Sequence, residues 1–233
     1  MNATVDSCLF SVSATHSGYS RSRNEDALIA NDRYGLWAVA DGMGGHERGD
    51  DASEAVIKAL ETVAGTKRPG TPDTVVIPAL QQANAEVNAL ARAQTEGGII
   101  GSTAVALALE GADFHCFWVG DSRAYVMRDG QLQRLTHDHS ESPDGVSPGA
   151  LTRAIGVEPQ VDVDWLSGEL YEDDVFLLCS DGLTGVVDET TIANTLSQTD
   201  PANVGQSLVD EALARGGPDN ITVVAVFVRG GNG

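Results

Sequence analysis

Apolar positions in the first forty residues come in short runs, separated by polar or glycine-containing turns. This pattern predicts strands over Cys8–His16, Asp26–Asn31 and Leu36–Ala40. The period then changes. Ala52, Ala55, Val56, Ala59, Leu60 and Val63 recur at the i, i+3, i+4 spacing of one buried helical face. The stretch from Gly65 to Thr71 ends that helix. A second helix carries Ala79, Leu80, Ala83, Val87, Leu90 and Ala91 on one side, with Pro78 suited to its first turn.

From Ser102 onward the spacing returns to that of strands: Ser102–Leu109, Phe114–Val119, Ala124–Arg128 and Gln131–Leu135. Asp129-Gly130 between the last two is a strong hairpin turn. The segment His139 to Gly149 is polar, contains two prolines and predicts a loop. Val161–Leu166 and Val175–Cys179 are further strands. A helix is expected over about Asp188 to Ser197. Another starts at Asp200-Pro201, an N-cap followed by proline at the first helical position, and stops at Arg215-Gly216-Gly217. Ile221–Val228 is a final, almost wholly apolar strand. Helix pairs follow groups of strands rather than alternating with single strands, which argues for antiparallel sheets with helices packed outside them. A strand apolar on both faces, such as Ile221–Val228, requires a sheet covered on both sides. The 233 residues, 42% of them hydrophobic, suit one large domain over 1–230 with a short tail at 231–233.

Charge narrows the functions open to this chain. Its 34 acidic and 14 basic residues leave a net charge of -20, which repels nucleic acid and acidic membrane surfaces. Cys8, Cys116 and Cys179 each lie in or beside an apolar strand-like run, and no CxxC or zinc-type spacing occurs. Reduced core thiols in a cytoplasmic protein are the expectation. The N-terminus has neither a basic start nor a long apolar stretch, so no signal peptide or membrane span is predicted. Trp37, Trp118 and Trp165 lie in strands and are expected in the core.

The candidate chemistry lies in four aspartates. Apolar runs ending at Ala40, Gly120 and Ser180 lead into Asp41-Gly42, Asp121-Ser122 and Asp181-Gly182, and Asp219-Asn220 opens the last strand. Any one of these is an ordinary turn. If the last strand runs antiparallel to the other three, all four carboxylates gather at one end of the sheets. Such a cluster repels itself unless protons or cations relieve it. An all-oxygen set suits Mg²⁺ or Mn²⁺. Two such ions acidify a shared water and clamp the oxygens of an in-line displacement, which is what phosphoester hydrolysis needs. Arg21, five residues before Asp26, is a candidate for holding the substrate phosphate; taken alone it is a surface arginine beside Arg23.

Seven ordered segments resemble the metal-dependent protein serine/threonine phosphatases (PPM/PP2C type) in their compact bacterial form. They are Gly18–Asp26, Ala40–His46, Gly101–Ala104, Val119–Ala124, Leu151–Gly156, Ser180–Leu183 and Gly217–Thr222. The resemblance covers about His16 to Val228. It implies an α+β, four-layer αββα sandwich, with two central antiparallel sheets flanked by helix pairs. It also implies roles: Asp41 bridges two catalytic Mn²⁺ or Mg²⁺ ions and the Gly42 carbonyl completes the first site. Asp181 and Asp219 hold the second ion, and Asp121 with Asp181 forms a third, weaker site. Arg21 holds phosphate and, with Asp26, makes up the catalytic pair. Glu25, Asp26 and Asn220 support the metal-bound waters.

Two departures from the family pattern stand out. Met43 occupies the place where many eukaryotic members have a histidine proposed to protonate the leaving group, and His46 is not expected to replace it. The segment between His139 and Leu151 is shorter than the flap usual in bacterial relatives. His137 and His139 could form a metal pair on an extended segment, but the family uses that stretch structurally. The resemblance further implies phosphorylated protein substrates, a separately encoded serine/threonine kinase as counterpart, a link to type VI secretion in some relatives, and a monomer. A catalytically weak phosphoprotein-binding module on the same fold is the alternative function. A simple divalent-ion buffer ranks last, because no EF-hand loop is present.

Overall fold

The computed structural model describes residues 8–44, 48–64, 71–93, 99–141 and 149–230, with the side chain of Cys8 excepted. Three strands open the fold: β1 (Cys8–His16), β2 (Asp26–Asn31) and β3 (Leu36–Gly44). Two helices follow, α1 (Gly49–Ala64) and α2 (Pro72–Arg92). Next come β4 (Ile100–Ser102), β5 (Ala104–Glu110), β6 (Asp113–Val119), β7 (Arg123–Arg128) and β8 (Gln131–Arg134). The two-residue strands β9 (Ser140–Glu141) and β10 (Ala150–Leu151) pair with each other. The chain closes with β11 (Asp164–Glu169), β12 (Val175–Cys179), α3 (Asp181–Thr184), α4 (Glu189–Gln198), α5 (Val204–Ala214) and β13 (Ile221–Arg229).

One sheet has the order β1-β13-β12-β7-β8 and the other β11-β6-β5-β3-β2, with β4 paired to the far end of β3. Every pairing is antiparallel. The two-residue period of strands decides what each face meets. On β3, Ala38 and Ala40 join Val56, Leu60, Leu80 and Val87 of α1 and α2. Trp37 and Val39, on the other face, meet Phe176, Leu178, Val224 and Val226 between the sheets. Leu177, Val223 and Ala225 then face Ile192 of α4 and Leu208 of α5. Three apolar seams therefore bind four layers in the order helix, sheet, sheet, helix, and β13 is buried along all but its last residue.

Several expectations shift. Pro78 lies inside α2 rather than in its first turn; Pro72 takes that place after Thr71. Covering Val76 contributes about 1.5–3 kcal/mol, which offsets most of the ~3 kcal/mol that an interior proline costs. The strand expected at Val161–Leu166 sits at Asp164–Glu169, because its position follows from pairing with β6 and not from apolarity. As an edge strand it alternates half-buried and exposed residues. Trp165, expected in the core, is 46% exposed there, with its ring stacked on Phe117 at 6.3 Å. The expected strand Ser102–Leu109 breaks at Thr103, and β3 continues beyond Ala40 because β4 pairs with Gly42–Gly44. Asp200 and Pro201 open a short 3-10 turn, and the α-helix proper begins at Val204. Cys116 and Cys179 are buried free thiols, and burial pushes each up to about 12. Among the described residues no helix is long and apolar enough to cross a membrane.

Candidate functional site

Strand direction gathers the aspartates. Asp41 lies within β3, directly opposite Asp26 of β2 in the antiparallel ladder. Like charges in that position repel. Asp121 follows β6, which runs parallel to β3 because both flank β5 with antiparallel pairing. Asp181 opens α3 after β12, and Asp219 precedes β13, the antiparallel neighbour of β12. All four, with Arg21, Glu25, Gly42, Met43, Thr103 and Asn220, line one cleft of about 240 Å³.

Hydrogen bonds to the backbone fix Asp41 and the segments around Asn220 and Glu25. Thr103 Oγ1 accepts from the Asp41 amide at 3.0 Å, while the Asp41 carbonyl accepts from the Thr103 amide at 2.8 Å and from Ser102 Oγ at 3.0 Å. The Asn220 side chain ties three segments together: Nδ2 donates to the carbonyls of Ser17 and Arg23, and Oδ1 accepts from the Glu25 amide. Glu25 Oε1 accepts from the Gly49 amide at the start of α1, and its carbonyl accepts from the Gly42 amide and from Ser53 Oγ. Close backbone approach selects glycine at two positions. A Cβ on Gly42 would lie 2.1 Å from the Gly49 carbonyl oxygen, and one on Gly182 would lie 1.8 Å from that of Asn220. The Asp-Gly pairs thus let neighbouring backbones meet at the cleft floor.

Electrostatics match the crowding. Burial, then the charges of Asp26, Asp181, Asp219 and Asp121, hold Asp41 well above the ordinary carboxylate range. Asp181 is raised by burial and by Asp219, against a hydrogen bond with Asp41 that works the other way. Asp121 is pushed up to about 6 by burial and by the charges of Asp181 and Asp138. Asp26 does not line the cleft. It lies behind Asp41 and is raised to about 6 by burial, although bonds from Thr222 and Ser180 oppose the shift. Its Oδ2 accepts from Ser180 Oγ at 2.8 Å, while the buried Oδ1 has no partner.

The donor set fits hard cations. It consists of carboxylates that repel one another, a carbonyl at Gly42 and an orphaned carboxylate oxygen behind them. Among the described residues no three Asp, Glu, His or Cys side chains close around one point. Arg21 Nη2 donates to Asp219 Oδ2 at 2.8 Å, with its side chain 55% exposed. It stands on the rim, and freeing it for a phosphate requires something else on Asp219.

The two histidines do not form a metal pair. His139 Nδ1 accepts from the Gly120 amide and Nε2 lies 3.2 Å from Asp164, while the His137 carbonyl accepts from Trp118 Nε1. His46 and most of the segment expected as a short flap lie outside the described residues. Thr103, Ser122 and Ser180 escaped the sequence reading as site residues. Thr103 and Ser122 share a 2.6 Å hydroxyl bond beneath the cleft, and their only signal was the small-residue segments beside Asp121 and before Ala104.

A stability test follows from the carboxylates. Asp26 and Asp121 have folded values near 6 against 3.8 in an unfolded chain. The folded state thus keeps protons that the unfolded state releases, and stability falls as pH rises through that window. In EDTA the melting temperature is expected to drop from pH 5 to pH 7, with a slope that Asp26→Asn or Asp121→Asn reduces. Saturating Mn²⁺ should reverse the slope, since cations bind deprotonated carboxylates. Asp164 and Asp188 are lowered, so their contribution is lost only below the usual carboxylate range and leaves this window untouched. A melting temperature in EDTA that climbs with pH across the window would contradict the assignment.

The sequence model of the family described as Protein phosphatase 2C matches residues 15–215. The chain is 33% identical over 228 residues to the serine/threonine protein phosphatase PstP of Mycobacterium tuberculosis, covering 91% of this chain and 43% of that protein. It therefore spans less than half the length of that relative. Among solved structures, PppA, described as a key regulatory component of T6SS in Pseudomonas aeruginosa, superposes with a TM-score of 0.87 at 38% identity, covering 94% of this chain and 97% of that one. The PstP catalytic domain in complex with two manganese ions superposes at 0.86 and 32% identity, covering 95% and 98%.

Proposed function

We propose that this chain, which belongs to the protein phosphatase 2C family, is a metal-dependent protein serine/threonine phosphatase working through a single catalytic domain over residues 1–230. The observation that carries this reading is the single cleft lined by Asp41, Asp121, Asp181 and Asp219 with Arg21 at its rim. The manganese complex of PstP supports Mn²⁺ or Mg²⁺ as the cofactor.

Asp41 and the Gly42 carbonyl would hold the first ion, and Asp41, Asp181 and Asp219 the second. Asp121 and Asp181 would hold a third, weaker one. When bound, the ions supply an acidified water as nucleophile and positive charge for the phosphoryl oxygens. Arg21, released from Asp219, takes two phosphate oxygens in its planar fork and aligns the phosphorus for in-line attack. Asp26 acts from behind Asp41: the bond from Ser180 fixes one carboxylate oxygen and leaves the other to accept from an ordered water. Glu25 and Asn220 keep the floor rigid by joining the α1 start to the β13 start. Met43 cannot donate a proton, so the leaving alkoxide takes its proton from water in the cleft.

Phosphorylated proteins are the substrates, and a separately encoded serine/threonine kinase is the counterpart. The likeness to PppA favours a role in type VI secretion; a normal secretion phenotype in a deletion strain would overturn that part. The protein acts in the cytoplasm as a monomer, a reading supported by the two buried reduced thiols and the acidic surface. The test is hydrolysis of a phosphothreonine peptide in EDTA and in millimolar Mn²⁺ or Mg²⁺. Turnover should require the ion, and Arg21→Ala should raise KM more than it lowers kcat. Folded protein that binds the peptide without turnover in any ion would favour the binding-module alternative.

A further inference from the structure

A second depression of about 440 Å³ adjoins the catalytic cleft and shares two walls with it, Met43 and Leu151. Its size falls within the roughly 300–1,000 Å³ usual for sites that enclose a ligand group. Met43, Ile99, Leu151, Ala154, Val157 and Val161 give it a predominantly apolar lining. Met43 sits opposite Gly101 in the β3–β4 pairing, and Met43 Cε and Val157 Cγ2 pack over that glycine, 2.8 and 3.2 Å from where a Cβ would stand. Ile99 and Val157 also line it while remaining 67% and 40% exposed. Two large aliphatic side chains left open beside a cleft built for a charged group are a feature that folding does not require.

The rim carries the carboxylates of Glu158 and Asp162. Arg153, the cation of the lining, is engaged by Asp164 at 2.5 Å, so the open edge is acidic, as is the chain as a whole at -20. We infer that this groove is a specificity subsite for the phosphorylated protein itself: it seats an apolar side chain of the substrate one to three residues from the phosphorylated residue, with a basic residue beyond it facing Glu158 and Asp162. The inference rests on the phosphatase reading and adds the class of sequence that the enzyme selects. An extended segment advances roughly 3.3–3.6 Å per residue, so a depression sharing a wall with the cleft lies within reach of that span. Met43 suits the dividing wall, because a flexible thioether adapts to side chains of different shape. The residue that departs from the family's histidine thus gives up a proton donor and contributes apolar surface.

The experiment is a scan of kcat/KM over phosphothreonine peptides in millimolar Mn²⁺, placing Leu, Gly, Lys or Asp at each position from three before to three after the phosphothreonine. One position is expected to prefer Leu over Gly by about 10-fold or more, and a neighbouring one to prefer Lys over Asp. Ile99→Asp and Val157→Asp, both at exposed sites, should reduce the Leu/Gly ratio toward one and strengthen the preference for Lys over Asp. A flat scan, or a Leu preference unchanged in both variants, overturns the subsite. Absence of turnover on every peptide and on p-nitrophenyl phosphate overturns the phosphatase reading, and the subsite with it.

Discussion

Asp41→Asn is expected to lower Mn²⁺-dependent kcat/KM on the order of 10³-fold, equivalent to about 4 kcal/mol of lost transition-state stabilisation at 1.36 kcal/mol per decade. The fold should survive. The Asp41 backbone is pinned by Thr103 and Ser102 through bonds that an asparagine keeps. In the cation-free protein the carboxyl is already driven toward its neutral form by burial and by four neighbouring carboxylates. A neutral amide therefore removes repulsion rather than support. The melting temperature in EDTA should be no lower than that of the unaltered protein, while the rise produced by Mn²⁺ should largely disappear. Thermal melts with and without Mn²⁺, run beside the peptide assay, check both halves. A variant that keeps full turnover would remove Asp41 from the centre of the site.

Gly182→Ala should damage the same site without touching a charge. The added Cβ would fall 1.8 Å from the Asn220 carbonyl oxygen, a backbone atom that cannot swing aside. Relief requires the start of α3 to move away from the start of β13, which separates Asp181 from Asp219. Asn220 would also be pulled from its bonds to Ser17, Arg23 and Glu25. Overpacking of this kind costs about 1–3 kcal/mol, and a shift of roughly 1 Å in positioned groups can cost ~10²-fold in rate. Both losses are expected: a lower urea midpoint at unchanged slope, and a fall of about 10²-fold in turnover that more Mn²⁺ only partly restores. Near-normal values for both would mean that the backbone contact is looser than the geometry requires.

These two residues also show what a linear reading could and could not see. Asp41 is legible because an apolar run ends in a carboxylate, and the pattern recurs at Asp121 and Asp181. Gly182 is legible only as a turn residue; its collision partner lies 38 positions away and comes near only when β13 pairs with β12. The expected core position of Trp165 failed for a related reason. Apolarity does not distinguish an edge strand from a central one, and β11 has a partner on one side only. Pro78 misled because proline's local preference for a first turn was outweighed by burial of the preceding turn against α1 and β-sheet.

Periodicity, glycine and proline placement, and the acidic motifs were enough to establish the antiparallel class, the helix pairs, the location of most of the longer strands and the four carboxylates of the cleft. These features are local, since each depends on a repeat or a turn contained within a few residues. Only the tertiary structure decided which groups face one another. Asp26 lies opposite Asp41 and out of the cleft, Arg21 rests on Asp219, and Met43 divides the phosphate site from an apolar groove. The physical reason is that strand pairing joins residues by register and not by separation along the chain, so electrostatic crowding and shared walls exist only once the sheets have formed.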